Sequence, residues 1–249
     1  MKDNEKITIE IVLQNPEEDK EPQVERFSVP FEKGMRVLDA VIYVQENFRP
    51  DLAYRWNCGE GICGSCAAEV NDRAVLMCKH EMTPDMKIVR IAPMNVFPVI
   101  KDLVVDISEV YKKVLSFKPH FISPQKATRE FWTMHEEQTK EAASLRTCID
   151  CMICYDTCHV LRNHENKNFI GPRNIVKLIG IDKHPKNTFE HAPLLEKGDI
   201  WSCNVTRCCT ASCPQNIKIT EDSIIYAKER IMSEKMWKPI KLLFSKDKK

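Results

Sequence analysis

Long apolar runs are absent from this sequence, and so is any excess of charge of one sign. Its apolar stretches, such as "AVIYV" and "DLVVDI", are short or broken by charge, whereas a membrane-spanning helix needs about 20 apolar residues. The 37 basic and 36 acidic residues leave a net charge of +1, which supplies no field to attract nucleic acid. We therefore predict no transmembrane span in this chain and no nucleic-acid partner.

Nucleotide-binding motifs and secretion signals are missing as well. The sequence has no P-loop and no G-x-G-x-x-G between a strand and a helix, so we do not expect this chain to bind a nucleotide itself. The first residues, "MKDNEKITIEIVL", place charges where a signal peptide has its apolar region, which predicts a cytosolic or matrix-side location. No internal repeat is evident.

Cysteine, by contrast, is abundant and clustered. The 12 cysteines fall into three groups, at 58/63/66/78, 148/151/154/158 and 203/208/209/213. In a chain of 249 residues without a signal sequence, such close spacing favours metal ligation, with disulfides as the minor alternative.

Hydrophobic periodicity divides the chain into an α+β part and a helical part. "KITIEIVL" and "VERFSVPF" alternate like a strand pair, and "MRVLDAVIYVQENF" has helical spacing. "CAAEV", "RAVLMC" and "KIVRIAP" predict three further short strands, whereas from "FPVIKDLVVDISEVYKKVLSF" onward the pattern is helical. We therefore predict an α+β domain over residues 1–100 and an α-helical domain over residues 101–249.

The first cysteine group has the spacing of plant-type ferredoxins, which bind a two-iron cluster. "CGEGICGSC" gives C-x4-C-x2-C, and eleven residues separate its last cysteine from a fourth. The glycines in this stretch let backbone N–H groups approach the sulfurs. A structural zinc site is the alternative, but zinc prefers two separated C-x2–4-C pairs. The predicted 2Fe-2S ligands are Cys58, Cys63, Cys66 and Cys78.

The second and third groups together match a two-cluster ferredoxin that lacks one ligand. "CIDCMICYDTC" has the full C-x2-C-x2-C-x3-C pattern, and "CNVTRCCTASCP" keeps it except at its second position. In two-cluster ferredoxins, the fourth cysteine of each run binds the cluster of the other run. The pattern assigns a 4Fe-4S cluster to Cys148, Cys151, Cys154 and Cys213, and leaves Cys158, Cys203 and Cys209 for the other cluster.

The residue at the second position of the third group is Thr206, and it predicts a three-iron cluster. A hydroxyl is a poor ligand for a soft metal, so the fourth iron has no partner and a 3Fe-4S cluster results. Cys208 lies out of frame and could in principle bind that iron. Successive helical residues point about 100° apart, however, so we expect Cys208 to be a buried, inert thiol beside Cys209. His159 is a second departure, since ferredoxins have proline there.

These motifs, in this order, resemble the iron–sulfur subunit of the succinate dehydrogenase/fumarate reductase family. The resemblance rests on "CGEGICGSC", "PVIKDLVVDISEVY", "CIDCMICYDTC", "FIGP" and "IWSCNVTRCCTASCP", and covers nearly the whole chain. It implies a β-grasp domain of the plant-type 2Fe-2S ferredoxin kind, followed by an all-α, bacterial-ferredoxin-like domain. It also implies a flavoprotein partner with covalent FAD and a membrane anchor that binds menaquinone or another quinone, with haem b in some members. The chain would then lie peripherally at the cytoplasmic face of the cell membrane.

The same resemblance implies an electron conduit that has no substrate chemistry of its own. Electrons would pass between flavin and quinone through the three clusters. "HVLRNHENKNF" lacks the tryptophan that ubiquinone-reducing members carry there and, like "IWSCN", resembles menaquinone-linked fumarate reductases. Trp201 and Lys228 are candidate neighbours of the quinone, with a core aromatic and a solvated lysine as alternatives. The alternative function is a soluble electron-transfer module for another flavoenzyme or a heterodisulfide-reductase-like complex.

Overall fold

The computed structural model describes residues 6–18, 21–123, 133–163, 166 and 168–245, with side chains as far as residue 236. The chain forms two compact units. The first comprises the described residues up to Glu109 together with Ile149–Cys158, and the second comprises Val110–Cys148 together with the described residues from His159 onward. Among the described residues, no helix combines the length and apolar character needed to cross a bilayer.

The first unit contains a five-stranded mixed sheet. Its strands are β1 (Lys6–Leu13), β2 (Gln23–Pro30), β3 (Ala67–Val70), β4 (Arg73–Leu76) and β5 (Ile88–Ala92), in the order β2-β1-β5-β3-β4. β1 pairs antiparallel with β2 and parallel with β5, while β3 is antiparallel to both β4 and β5. The predicted strands are confirmed to within a residue or two at each end.

Helix α1 (Val37–Asn47) supplies the apolar layer that packs with this sheet in one core. The backbone N–H of Arg36 donates to the Asp39 carboxylate at 2.8 Å, which caps the helix N-terminus. Burial alternates along β1, where Ile7, Ile9 and Ile11 are all at most 2% exposed. Each such side chain contributes about 1.5–3 kcal/mol of transfer free energy, so this core fixes the sheet register.

A short hairpin lies where the sequence predicts helix. β6 (Val99–Lys101) and β7 (Val104–Val105) pair antiparallel, and helix α2 (Ser108–Ser116) begins only after them. The prediction of helix from residue 97 onward is therefore wrong over these residues. Asp102 occupies the turn with φ 47°, and its carboxylate accepts N–H bonds from Gln14 and Ala53. These contacts join residues distant in sequence, so periodicity alone gives no signal for them.

The second unit is helical. Its longer elements are α3 (Glu136–Arg146), α6 (Pro172–Asp182) and α8 (Tyr226–Ser245), which continues a π-helical turn (Thr220–Ile225). Two 3-10 turns, Ala192–Glu196 and Ile200–Ser202, precede the last cysteine group. α3 and α6 approach closely at Gly180, where an added Cβ would come 3.4 Å from that of Leu145. The predicted helical character of this part of the chain is confirmed.

Three one-turn helices accompany the cysteine runs. They are α4 (Ile153–Asp156), α5 (His159–Arg162) and α7 (Cys208–Ala211). α4 belongs to the first unit, where the Asp156 carboxylate accepts the N–H of Val96 at 3.2 Å and the rings of Tyr155 and Phe97 stack at 5.9 Å. The second cysteine run is thereby held to the segment that follows β5.

Candidate metal centres

The loop that joins α1 to β3 carries three of the four cysteines of the first group. Gly59, Gly61 and Gly64 have φ of 69°, 74° and 75°, a conformation that glycine adopts without steric cost. A Cβ on Gly64 would lie 2.7 Å from the carbonyl oxygen of Ile149, and one on Gly61 would lie 2.7 Å from the Lys79 side chain. All three glycines therefore permit the turn of the loop, and Gly61 and Gly64 also permit the close approach of Lys79 and Ile149.

Backbone donors in this loop favour a sulfur anion. The sulfur of Cys58 accepts N–H bonds from Glu60 at 3.4 Å and Ile62 at 3.3 Å, and these bonds lower the pKa of its thiol to about 6. Burial raises the pKa of Cys66 to about 12, so that thiol needs a metal to lose its proton at neutral pH. The Arg36 guanidinium donates to the carbonyl of Cys78 at 2.7 Å. The donor set and its anion-stabilising surroundings fit an iron–sulfur cluster.

The second and third cysteine groups share one backbone conformation. Cys148, Cys154 and Cys158 each have a counterpart 55 residues later, in Cys203, Cys209 and Cys213. Left-handed residues recur at the same spacing, Asp150 and Met152 in one run and Val205 and Arg207 in the other, with φ between 58° and 65°. α4 and α7 begin directly after the second of these residues. The structure thus contains a short repeat, so the prediction of no internal repeat is wrong for these two runs, and the common offset of 55 residues is its signal in the sequence.

Within this repeat, Thr206 occupies the place of Cys151. Thr206 is exposed, and its hydroxyl lies 3.2 Å from Nδ1 of His159 and donates to the sulfur of Cys208 at 3.5 Å. Thr206 and His159 are the two departures from the ferredoxin pattern, so the structure brings both departures together.

The prediction that Cys208 is buried is wrong, because its side chain is half-buried. α7 begins at Cys208, and the inward direction is taken by the next residue, Cys209, which is 3% exposed. The hydroxyl of the buried Thr220 lies 3.4 Å from the Cys209 sulfur. The sequence offered no signal for the contact between Cys209 and Thr220.

Trp201 and Lys228 lie together in the second unit. The Lys228 ammonium is 5.4 Å from the centre of the Trp201 ring and also donates to the carbonyl of Cys203. The indole N–H of Trp201 donates to Glu196 at 3.2 Å, and the side chain of Glu196 also binds Lys235. Trp201 remains 41% exposed despite these contacts. It is therefore not a core aromatic, and Lys228 is not simply solvated.

Two family models match the chain, one for each kind of cysteine pattern. A "2Fe-2S iron-sulfur cluster binding domain" matches residues 8–112, and a "4Fe-4S dicluster domain" matches residues 144–217. These matches confirm the two-domain arrangement and iron–sulfur chemistry in place of structural zinc. A 3Fe-4S cluster is typical of iron–sulfur subunits that combine these two domains, and FAD and quinone belong to the partners of such subunits.

Relatives and a solved structure are similar over almost the full length. The fumarate reductase iron–sulfur subunits of Haemophilus influenzae and Escherichia coli O6:H1 are 29% and 30% identical, covering 94% and 87% of this chain and 97% and 90% of their own. The Mycobacterium smegmatis Sdh1 complex in the apo form contains a chain with a TM-score of 0.87 and 34% identity, covering 94% of this chain and 98% of that one. This chain therefore belongs to the family of electron-transfer iron–sulfur subunits of fumarate reductase and succinate dehydrogenase.

Proposed function

We propose that this chain relays electrons between the FAD of a flavoprotein subunit and a quinone in a membrane anchor, through three clusters of different nuclearity. The observation that carries the proposal is the repeat of one backbone conformation in the two later cysteine runs, with Thr206 in the place of Cys151. The proposed ligands are Cys58, Cys63, Cys66 and Cys78 for 2Fe-2S; Cys148, Cys151, Cys154 and Cys213 for 4Fe-4S; and Cys158, Cys203 and Cys209 for 3Fe-4S.

The proposed exchange of one ligand between the runs follows the pairing known for two-cluster ferredoxins. The fourth cysteine of each run, Cys158 or Cys213, comes after a one-turn helix in the same conformation, which supports equivalent roles for the two. The hydroxyl of Thr206 is already engaged with Cys208 and lies beside His159, which supports a polar contact in place of an iron ligand.

When bound, the clusters supply one-electron redox chemistry, and the protein's own groups hold the thiolates and surround them with donors. In the first group, backbone N–H groups stabilise the sulfur of Cys58, and the Arg36 guanidinium lies at the Cys78 carbonyl. In the third group, the hydroxyl of Thr220 lies beside the sulfur of Cys209. Such hydrogen bonds and charges are among the main determinants of cluster potential.

We further propose the fold names and domain limits that the resemblance implies. The mixed sheet with α1 packed in its core supports a β-grasp domain over residues 1–100, and the helical second unit supports a bacterial-ferredoxin-like domain over residues 101–249. The segment Ile149–Cys158 is proposed to belong functionally to the second domain, because its cysteines complete the four-iron and three-iron ligand sets.

The proposed complex has a flavoprotein with covalent FAD and an anchor that binds menaquinone, with haem b as a candidate cofactor of the anchor. Its proposed location is the cytoplasmic face of the cell membrane, and its proposed physiological direction is fumarate reduction. The absence of tryptophan from residues 159–169 supports this direction. The exposed indole of Trp201, with Lys228 beside it, supports a quinone site close to the Cys203 run.

Low-temperature electron paramagnetic resonance of the oxidised complex tests the cluster assignment. A three-iron cluster is paramagnetic in that state, so we expect one such signal, with about nine irons and about ten acid-labile sulfides per chain. Thr206→Cys should abolish the signal by admitting a fourth iron, whereas Thr206→Ser should retain it. An unaltered signal in a folded, cluster-loaded Thr206→Cys variant contradicts the assignment of Thr206 to the vacant position.

A further inference from the structure

A lysine ammonium lies at the carbonyl of the first cysteine of each later run. Lys177 donates to the carbonyl of Cys148 at 3.3 Å, and Lys228 donates to that of Cys203. Both contacts lie within the second unit, yet the lysines come from different helices, α6 and α8. The repeat therefore extends beyond the cysteine runs to a cation that each run acquires from elsewhere in the fold.

We propose that Lys177 is a positioning residue that raises the reduction potential of the four-iron cluster. The proposal rests on the ligation of that cluster by Cys148. An ammonium beside the backbone of a ligand favours the more negative, reduced form of the cluster, because added electron density is attracted to a nearby cation. Its hydrogen bond also fixes the Cys148 carbonyl, and with it the direction from which the thiolate is presented.

The partial burial of Lys177 reduces the screening of its charge by solvent. Lys177 is half-buried, and its ammonium donates to the carbonyl of Cys148 at 3.3 Å. A charge so placed is screened by solvent less than a charge on an exposed side chain. As a general scale, a unit charge about 10 Å from a redox centre, at an effective dielectric of about 20, changes its reduction equilibrium by on the order of tenfold.

The same chain provides a matched control in Lys113. This lysine is also half-buried, and its ammonium donates to the carbonyl of Phe169 at 3.3 Å, the same distance as for Lys177. Phe169 is no proposed cluster ligand, so substitution of Lys113 removes a comparable charge and hydrogen bond without touching a cysteine run. A general loss of stability should therefore affect the variants of both lysines, whereas an effect on the four-iron cluster should be confined to those of Lys177.

The test is a redox titration of the intact complex, followed by electron paramagnetic resonance. In Lys177→Met and Lys177→Gln, the ratio of reduced to oxidised four-iron cluster at a fixed potential should fall about tenfold, with the other two clusters unchanged. Lys177→Arg should keep the native ratio, and so should Lys113→Met. Lys177→Gln decides the matter if Lys177→Met does not assemble, because glutamine keeps a donor but carries no charge.

Two results overturn the proposal. One is a native ratio in Lys177→Gln, and the other is an equal fall in Lys113→Met. A complex that shows no four-iron signal without any substitution contradicts the proposed function instead, so the two failures are distinguishable.

Discussion

The two later cysteine runs have the same backbone conformation but different side chains, both at their left-handed residues and at one ligand position. Asp150 and Met152 share their left-handed conformation with Val205 and Arg207, and a one-turn helix follows in both runs. One run places a cysteine where the other has Thr206. The loop shape that presents Cys151 is therefore retained where Thr206 replaces it, so the proposed difference between four irons and three rests on the side chain and not on the backbone.

The residues that follow the runs differ as well. The third group ends in Cys213-Pro214, whereas His159 stands at the equivalent place in the second. Proline would be favourable at position 159 as well, because α5 begins at His159 and proline suits the first position of a helix. The imidazole instead contacts the hydroxyl of Thr206 at 3.2 Å. The two departures thus form one polar contact, which lies beside the proposed three-iron cluster.

The largest effect should come from the substitution that makes the second run resemble the third. Cys151→Thr gives the second run the side chain of the third, so its cluster should lose one iron. We expect the three-iron signal of the oxidised complex to rise from about one spin per chain to about two, with about one iron fewer by metal analysis. Cys151→Ser is the control for loss of the thiolate alone and should behave similarly. An unchanged spin count with full iron content would show that the runs are not equivalent.

Stability should also separate the two runs, at the first residue of the one-turn helices α4 and α7. Ile153 is 1% exposed in the core of the first unit, whereas its counterpart Cys208 is half-buried. Ile153→Ala should cost about 2–4 kcal/mol through lost burial and a cavity, and Cys208→Ala less than about 1 kcal/mol. The thermal midpoint of the cluster-loaded complex measures both variants. Equal decreases would mean that Cys208 is packed as tightly as Ile153.

Backbone strain should differ between the runs by about 1 kcal/mol. Val205 has φ 63°, which is unfavourable for a β-branched residue, whereas its counterpart Asp150 tolerates φ 58°. Val205→Asn should therefore raise the thermal midpoint by about 2–4 °C, and Asp150→Val should lower it. A lower midpoint in Val205→Asn would indicate that the packing of the valine side chain outweighs its strain.

The smallest expected effect concerns the contact between the two departures. Thr206→Val keeps the shape of the residue but removes the hydroxyl that lies beside His159 and donates to Cys208. A hydrogen bond contributes about 0.5–1.5 kcal/mol, so the midpoint potential of the three-iron cluster should shift by at most about 60 mV, with the signal intact. Thr206→Ser should shift it less. Loss of the three-iron signal in Thr206→Val would assign the hydroxyl a role in ligation.

The strands of the first unit and the helical character of the second could be predicted because their burial patterns repeat locally. Ile7, Ile9 and Ile11 alternate along β1 as strand periodicity requires, and α1 follows its helical pattern. The β6–β7 hairpin could not be predicted, since its turn depends on Asp102 binding N–H groups of Gln14 and Ala53. The left-handed conformation of Val205 could not be predicted either, because valine is β-branched and favours an extended backbone.

The kinds of cluster could be predicted from the sequence, because the spacing of the thiolates, with one hydroxyl among them, indicates how many ligands each cluster would have. Which charges and donors lie beside the cysteines, by contrast, depends on how the chain folds. Arg36 lies at the carbonyl of Cys78, Lys177 at that of Cys148, and Lys228 at that of Cys203. These partners are 25 to 42 residues apart with no common spacing, because the tertiary fold, and not local periodicity, brings each side chain to a distant carbonyl.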